Sequence, residues 1–145
     1  RPAWPRVRLA DVGLLARIGG AMCVEPGKLN YPLFLENLRE LSWYDEQVRL
    51  WNGPPEARMI GSFVEAVCGM FDDSGFLYTL EKRPDSIHPE VRVAMAELDK
   101  AVSQVDGYQP PMVVIESEQM ERVRQLASGA LALIYQVGLE ADDPL

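Results

Sequence analysis

Histidine and cysteine are the scarcest reactive residues in this 145-residue chain. His88 is the single histidine, and the cysteines are Cys23 and Cys68. Serine and cysteine hydrolases require an imidazole beside the nucleophile, whereas His88 directly precedes Pro89 at a predicted helix start, where its ring caps the helix or faces water. The three residues lack the short paired spacings of zinc modules, and the chain has no Walker loop, G-x-G-x-x-G or His-Glu-x-x-His motif. The sequence therefore favours a non-enzymatic protein with no metal or cofactor.

Carboxylates are the remaining residues that could support catalysis. Glu36 and Glu40 are four residues apart and Glu118 and Glu121 are three apart, so each pair shares one helix face. Di-iron bundles combine such glutamates with Glu-x-x-His, which this chain lacks. Residues 72–75, Asp-Asp-Ser-Gly, begin like a calcium loop but are not followed by its later ligands. We expect solvated helix surfaces, and a glycosidase-like carboxylate pair formed in space stays open as an alternative.

Negative charge is concentrated in the C-terminal part of the chain. Fourteen Lys and Arg against 22 Asp and Glu give a net charge of −8, with an isoelectric point near 4.6. Eight basic and seven acidic residues give residues 1–60 a net charge of +1, whereas six basic and 15 acidic residues give 61–145 a net charge of −9. This acidity disfavours nucleic-acid and anionic membrane binding. It indicates either a solvated surface or an acidic face that steers a basic protein.

Aromatic residues are clustered in one short segment. Trp43, Tyr44 and Trp51 lie within nine residues, and helical spacing places Tyr44 and Trp51 on one face with Trp43 on another. One interpretation is core packing with a single exposed ring. The other is an anchor at a protein interface, where tryptophan and tyrosine often carry much of the binding energy.

Helical periodicity of apolar residues recurs along the chain. It predicts helices near 7–22, 30–41, 60–71, 89–105 and 117–137, with a short helix restarting after a weak capping box at Ser42. The aromatic-rich segment 76–80 predicts a short strand or an extended connector. Residues 112–115 fit either a short strand or the start of the last helix. Residues 130–134 are apolar nearly all round, which predicts the most buried part of the fold.

These elements predict a single acidic helical domain spanning 1–145. Its class is all-α, a compact bundle of five to six helices with short Pro/Gly connections, with one short extended segment near 112–115 as an open alternative. No segment approaches the 18–20 continuous apolar residues of a membrane span, and no signal-peptide pattern is present. We therefore expect no membrane association and a cytoplasmic location.

The leading functional hypothesis is a non-enzymatic, acidic protein-binding module. It is a small inhibitor of the immunity or antitoxin kind, or an adaptor, that occupies a basic partner protein. The residues expected to bind the partner comprise two aromatic anchors and five carboxylates: Trp43, Trp51, Asp72, Asp73, Glu116, Glu118 and Glu121.

Two alternatives stay open. The first is a small-molecule-binding or catalytic helical bundle, because flexible methionine and aromatic side chains can line a pocket. Its candidate lining is Met22, Met59, Phe63, Met70 and Phe71. The second is a structural subunit that forms homo-oligomers, such as a homodimer, through the aromatic surface.

Overall fold

A computed structural model describes residues 29–53 and 62–140, so the predicted helix near 7–22 lies outside the described residues. The α-helices in the described part are α1 (Tyr31–Ser42), α2 (Tyr44–Trp51), α3 (Phe63–Cys68), α4 (Phe76–Lys82), α5 (Pro89–Val102), α6 (Pro111–Glu116) and α7 (Glu118–Val137). A π-helical segment, Gly69–Asp73, and a 3-10 turn, Pro84–Ser86, join neighbouring helices. Residues 29–53 and 62–140 contain no β-strand, only an isolated bridge between Ile87 and Glu140. The all-α class is therefore confirmed.

Helix α1 forms as the periodicity predicts. The Asn30 side chain accepts a hydrogen bond from the Leu33 backbone N–H at 3.1 Å, and Pro32 suits the first turn, where its missing N–H costs nothing. The buried stripe of α1 consists of Phe34, Leu38 and Leu41.

The short helix α2 is confirmed, but Ser42 does not cap it. Its hydroxyl donates to the Arg39 carbonyl at 2.7 Å, within the last turn of α1. Trp43, in extended conformation, separates the two helices and makes no side-chain capping bond.

The segment predicted as a strand or extended connector, 76–80, is instead the helix α4. Gly75 adopts a left-handed conformation with φ of 84°, which lets the chain turn sharply and restart a helix. The Ser74 hydroxyl accepts a hydrogen bond from the Phe76 N–H at 3.2 Å. Phe76 then stacks on Phe34 of α1 with ring centroids 5.0 Å apart. Burial against α1 thus overrides the strand preference of aromatic residues.

The extended alternative at 112–115 is also wrong, because these residues lie in α6. Pro111 occupies the first turn, and the Val114 N–H donates to the Pro110 carbonyl at 3.1 Å. Val114 and Ile115 are buried on one side of this single turn and a half. Since no strand runs anywhere in the described residues, a strand here would leave its backbone groups without a partner.

The two longest helices, α5 and α7, run antiparallel and form the centre of the fold together with α1. The His88 N–H, at the start of α5, donates to the carbonyl of Leu139, just beyond the end of α7, at 3.2 Å. Ser117 caps α7 by accepting from the Met120 N–H at 3.1 Å, and Gly138 ends it with φ of 87°.

Residues 130–134 are not buried all round, as their composition suggests. Ala130 and Ile134 lie in the core, whereas Ala132 is exposed and Leu131 and Leu133 are half-buried. Helix α7 is therefore an amphipathic helix that packs one face on α1 and α5. No helix within 29–53 or 62–140 is long and apolar enough to cross a bilayer.

Candidate functional site

The carboxylates predicted to bind a partner lie in two separate places. The Asn30 N–H donates to the Ser74 carbonyl at 2.7 Å, which places neighbouring Asp72 and Asp73 beside the start of α1. Trp43 follows the opposite end of α1, a helix of 12 residues, or about 18 Å at 1.5 Å per residue. The Asp72–Asp73 pair therefore does not share a surface with Trp43.

Trp51 is a core residue and not a surface anchor, which corrects its predicted role. Only 3% of Trp51 is exposed, and its ring packs edge-on against Phe63 with centroids 6.0 Å apart. Its indole N–H donates to Glu40 Oε2 at 2.6 Å. Burial raises the pKa of the Glu40 carboxyl, against the opposing effect of this hydrogen bond. Trp51 and Glu40 thus fix the end of α2 against α1.

Arg124 organises the polar contacts between α2, α6 and α7. Only 8% of Arg124 is exposed, and each of the three guanidinium nitrogens donates a hydrogen bond. Nη1 donates to Gln47 Oε1 at 2.7 Å, while Nε and Nη2 donate to Glu121 Oε1 at 3.1 and 3.0 Å. The guanidinium carbon lies 5.1 Å from the centroid of the Tyr44 ring, within cation–π range.

Gln47 and Tyr44 extend this network in opposite directions. Gln47 is fully buried, and its Nε2 donates to the carbonyls of Glu40 and Leu41, both at 2.9 Å. The Tyr44 hydroxyl donates to Glu116 Oε2 at 2.5 Å, and this bond to a carboxylate raises the pKa of the Tyr44 phenol. A continuous chain of contacts therefore connects the buried junction of α1 and α2 to carboxylates at the surface.

Trp43 directly precedes Tyr44 in the chain, and we call the exposed residues on and beside this network the Trp43 surface. It combines exposed apolar side chains with carboxylates: Trp43, Tyr44, Asp45, Val113, Glu116, Glu118 and Glu121. Trp43 is 50% exposed, Tyr44 39% and Val113 53%. Val113 is one turn before Glu116 on α6, and Glu118 is one turn before Glu121 on α7, so each pair shares a face. Four of the seven residues predicted to bind a partner, Trp43 and the three glutamates, thus lie on this surface.

Neither Arg124 nor Gln47 was predicted from the sequence, although helical spacing indicates that Arg124 is partly buried. Arg124 follows Met120 by four residues and precedes Ala127 by three, so helical spacing places a charge at the edge of the buried stripe of α7. A cation at such a position needs a partner. No comparable signal identifies Gln47, which is buried because of how α2 packs.

The described residues offer little support for nucleophilic or metal chemistry. Burial, together with Asp72 and Asp73, raises the pKa of the Cys68 thiol to about 11, so at neutral pH it stays protonated and is a weak nucleophile. Within 29–53 and 62–140, no group of histidine, cysteine or carboxylate side chains could hold a metal ion. Cys23 lies outside the described residues.

Of the methionine and aromatic residues expected to line a pocket, some lie outside the described residues and the others are buried in the core. Met22 and Met59 lie outside the described residues. Phe63, Met70 and Phe71 are buried in the core, where Phe71 packs against Phe76 with ring centroids 6.1 Å apart.

No protein-family model, curated protein or solved structure matches this chain. Among the described residues, the Trp43 surface brings exposed aromatic side chains and several carboxylates together.

Proposed function

We propose that the protein is a non-enzymatic binding module that contacts a basic partner protein through the Trp43 surface. The observation that supports this most is a half-exposed tryptophan beside a tyrosine that is held in place from two sides. Exposed tryptophan and tyrosine are over-represented among the residues that dominate binding energy. Tyr44 is already fixed by Glu116 and Arg124, so binding costs it little conformational entropy.

The charges on this surface support a cationic partner. Arg49 pairs with Glu46 at the edge of α2, and Arg124 pairs with Glu121. In the part of the chain that the structure describes, no cation lies within 4 Å of the carboxylates of Asp45, Glu116 or Glu118. These negative charges accelerate encounter with a positively charged protein, while the aromatic side chains lengthen the lifetime of the complex.

The mechanism is occupancy: no bond is made or broken. A basic protein whose functional surface faces Trp43 is blocked for as long as the complex lasts, which is the action of a small inhibitor of the immunity or antitoxin kind. An adaptor uses the same contacts to hold its partner near another component. The structure of this surface is the same in both cases, so the partner's identity distinguishes them.

The first experiment is affinity capture of the full chain from its source cells at 50 mM and 500 mM salt, with native mass spectrometry of the eluate. We expect a stoichiometric basic protein that is lost as salt rises. Recovery without a partner protein, whether as the chain alone, as a homo-oligomer or as the chain carrying only a small bound molecule, would contradict the proposal.

A variant pair then locates the contact. Trp43→Ala should weaken capture at least tenfold, since truncating a central aromatic anchor commonly costs about 2 kcal/mol or more. Val93→Ala is the control, because Val93 is 65% exposed on α5 and lies outside the Trp43 surface. Equal capture by both variants would show that Trp43 does not contribute to binding the partner.

A further inference from the structure

A shallow groove of about 180 Å³ lies between α5 and α7. Four polar and two apolar side chains line it: Glu97, Lys100, Gln104, Arg122, Ala101 and Leu126. The groove is separate from the Trp43 surface. Arg122 and Arg124 are two residues apart on α7 and therefore point to opposite sides of that helix.

The antiparallel packing of α5 and α7 orders these side chains along the groove. The end of α7 lies beside the start of α5, so Arg122, near the start of α7, faces the end of α5. Lys100 and Gln104 are at that end. Glu97 lies about one turn, or 5 Å, before Lys100 on α5. The groove therefore has a cationic end and an acidic end, with Ala101 and Leu126 between the helices as its apolar floor.

The donors at the cationic end have no partner among the described residues. The ion pairs among the described residues are Arg49–Glu46 and Arg124–Glu121, both outside the groove. The ammonium of Lys100, the guanidinium of Arg122 and the side-chain amide of Gln104 make no hydrogen bond to a described residue. In this respect Arg122 differs from Arg124, whose donors are satisfied by Gln47 and Glu121. Two unpaired cations thus converge on one groove in a chain whose net charge is −8.

We propose that this groove binds a small organic monocarboxylate. The ligand's carboxylate lies between Lys100 and Arg122, because a guanidinium and a carboxylate form charge-assisted hydrogen bonds. A short aliphatic tail covers Ala101 and Leu126. Glu97 repels a second negative charge, so monocarboxylates bind in preference to dicarboxylates. This site is independent of the proposed protein-binding function.

The test is a titration of the uniformly ¹⁵N-labelled full chain with sodium butanoate, followed by amide chemical shifts. We expect saturable shifts for amides of 97–104 and 122–126, with a dissociation constant on the order of 1 mM for so small a ligand. Butan-1-ol, which has the same tail without the charge, should produce no saturable shift. Shifts that do not saturate, or that butan-1-ol reproduces, would overturn the proposal.

Substitutions separate a built site from general attraction to positive charge. Lys100→Gln and Arg122→Gln should each weaken butanoate binding at least fivefold. Lys82→Gln removes the same charge from an exposed position on α4 and should leave the affinity unchanged. Glu97→Gln should strengthen binding of succinate relative to butanoate. Equal weakening by Lys82→Gln, or no change in Arg122→Gln, would show that the groove does not hold the anion.

Discussion

Arg124 links α7 to α2 through its hydrogen bond to the buried side chain of Gln47. Arg124→Met removes the donor that satisfies the buried Gln47 Oε1, and an unsatisfied buried acceptor costs about 1–3 kcal/mol. We expect the free energy of unfolding in urea to fall by about that amount. Arg122→Met, two residues away at an exposed position, is the control and should change it by less than about 0.5 kcal/mol. Equal effects of the two substitutions would mean that the network does not stabilise the fold.

Glu40 makes the stability depend on pH in a defined direction. Burial raises its pKa above the usual value of 4.5, so the folded protein holds this proton more tightly than the unfolded chain. The contribution of Glu40 to stability is therefore largest at acidic pH and falls as pH rises above about 4.5.

Glu40→Gln tests this direction, because glutamine keeps an oxygen that can accept the Trp51 N–H but cannot ionise. In urea unfolding between pH 4 and 7, the variant should gain stability relative to the parent as pH rises. Glu81→Gln, at an exposed position of α4, is the matched control for loss of a carboxylate. A difference between Glu40→Gln and the parent that stays constant with pH would refute the interpretation.

At the scale of the element, one glycine in α7 lowers the stability of the helix it belongs to. Gly129 lies in an exposed position, and a Cβ there would meet no atom within 4 Å. Since glycine in a helix costs about 0.5–1 kcal/mol relative to alanine, Gly129→Ala should raise the free energy of unfolding by about that amount. Thermal and urea unfolding would measure it. A decrease would indicate that another element contacts this face.

The same substitution at Gly107 should have the opposite effect on the free energy of unfolding. A Cβ there would lie 2.7 Å from Cδ2 of Phe63 and 3.1 Å from Cγ2 of Val64, so the loop after α5 approaches α3 too closely for a side chain. Overpacking of this kind costs about 1–3 kcal/mol, and Gly107→Ala should lower stability by that amount in the same measurement. If Gly107→Ala and Gly129→Ala change the free energy of unfolding equally, the close packing of Gly107 on Phe63 does not determine the effect of a side chain at position 107.

Element type was predicted well where the periodic stripe is long, and poorly where a segment is short. Helices α5 and α7 each repeat their buried positions over several turns, which leaves one consistent interpretation. The segments 76–80 and 112–115 are too short to show a period, and their aromatic and β-branched residues favour strands. What makes them helical is packing, of Phe76 on Phe34 and of Val114 and Ile115 into the core.

For the whole molecule, the proposed binding mode predicts that the position of charge on the surface matters more than its total. Asp45→Asn with Glu118→Gln neutralises two carboxylates of the Trp43 surface. Association with the captured basic partner should slow severalfold at low salt and depend less on salt concentration. Glu81→Gln with Asp85→Asn removes the same charge from exposed positions outside this surface and should slow association much less. Stopped-flow measurements with equal slowing by both pairs would assign the effect to net charge alone.

The amino-acid sequence was enough to predict the helical class and the main buried stripes, because the period of a helix is local and can be seen in any stretch of several turns. It also placed the negative charge in the C-terminal part of the chain. The burial of Trp51 and the exposure of Trp43 depend instead on how the helices pack against one another. Likewise, only packing brings Arg124 to Tyr44, 80 positions earlier in the chain, and Tyr44 to Glu116. Contacts between helices depend on their relative position and rotation, which no local pattern of residues specifies.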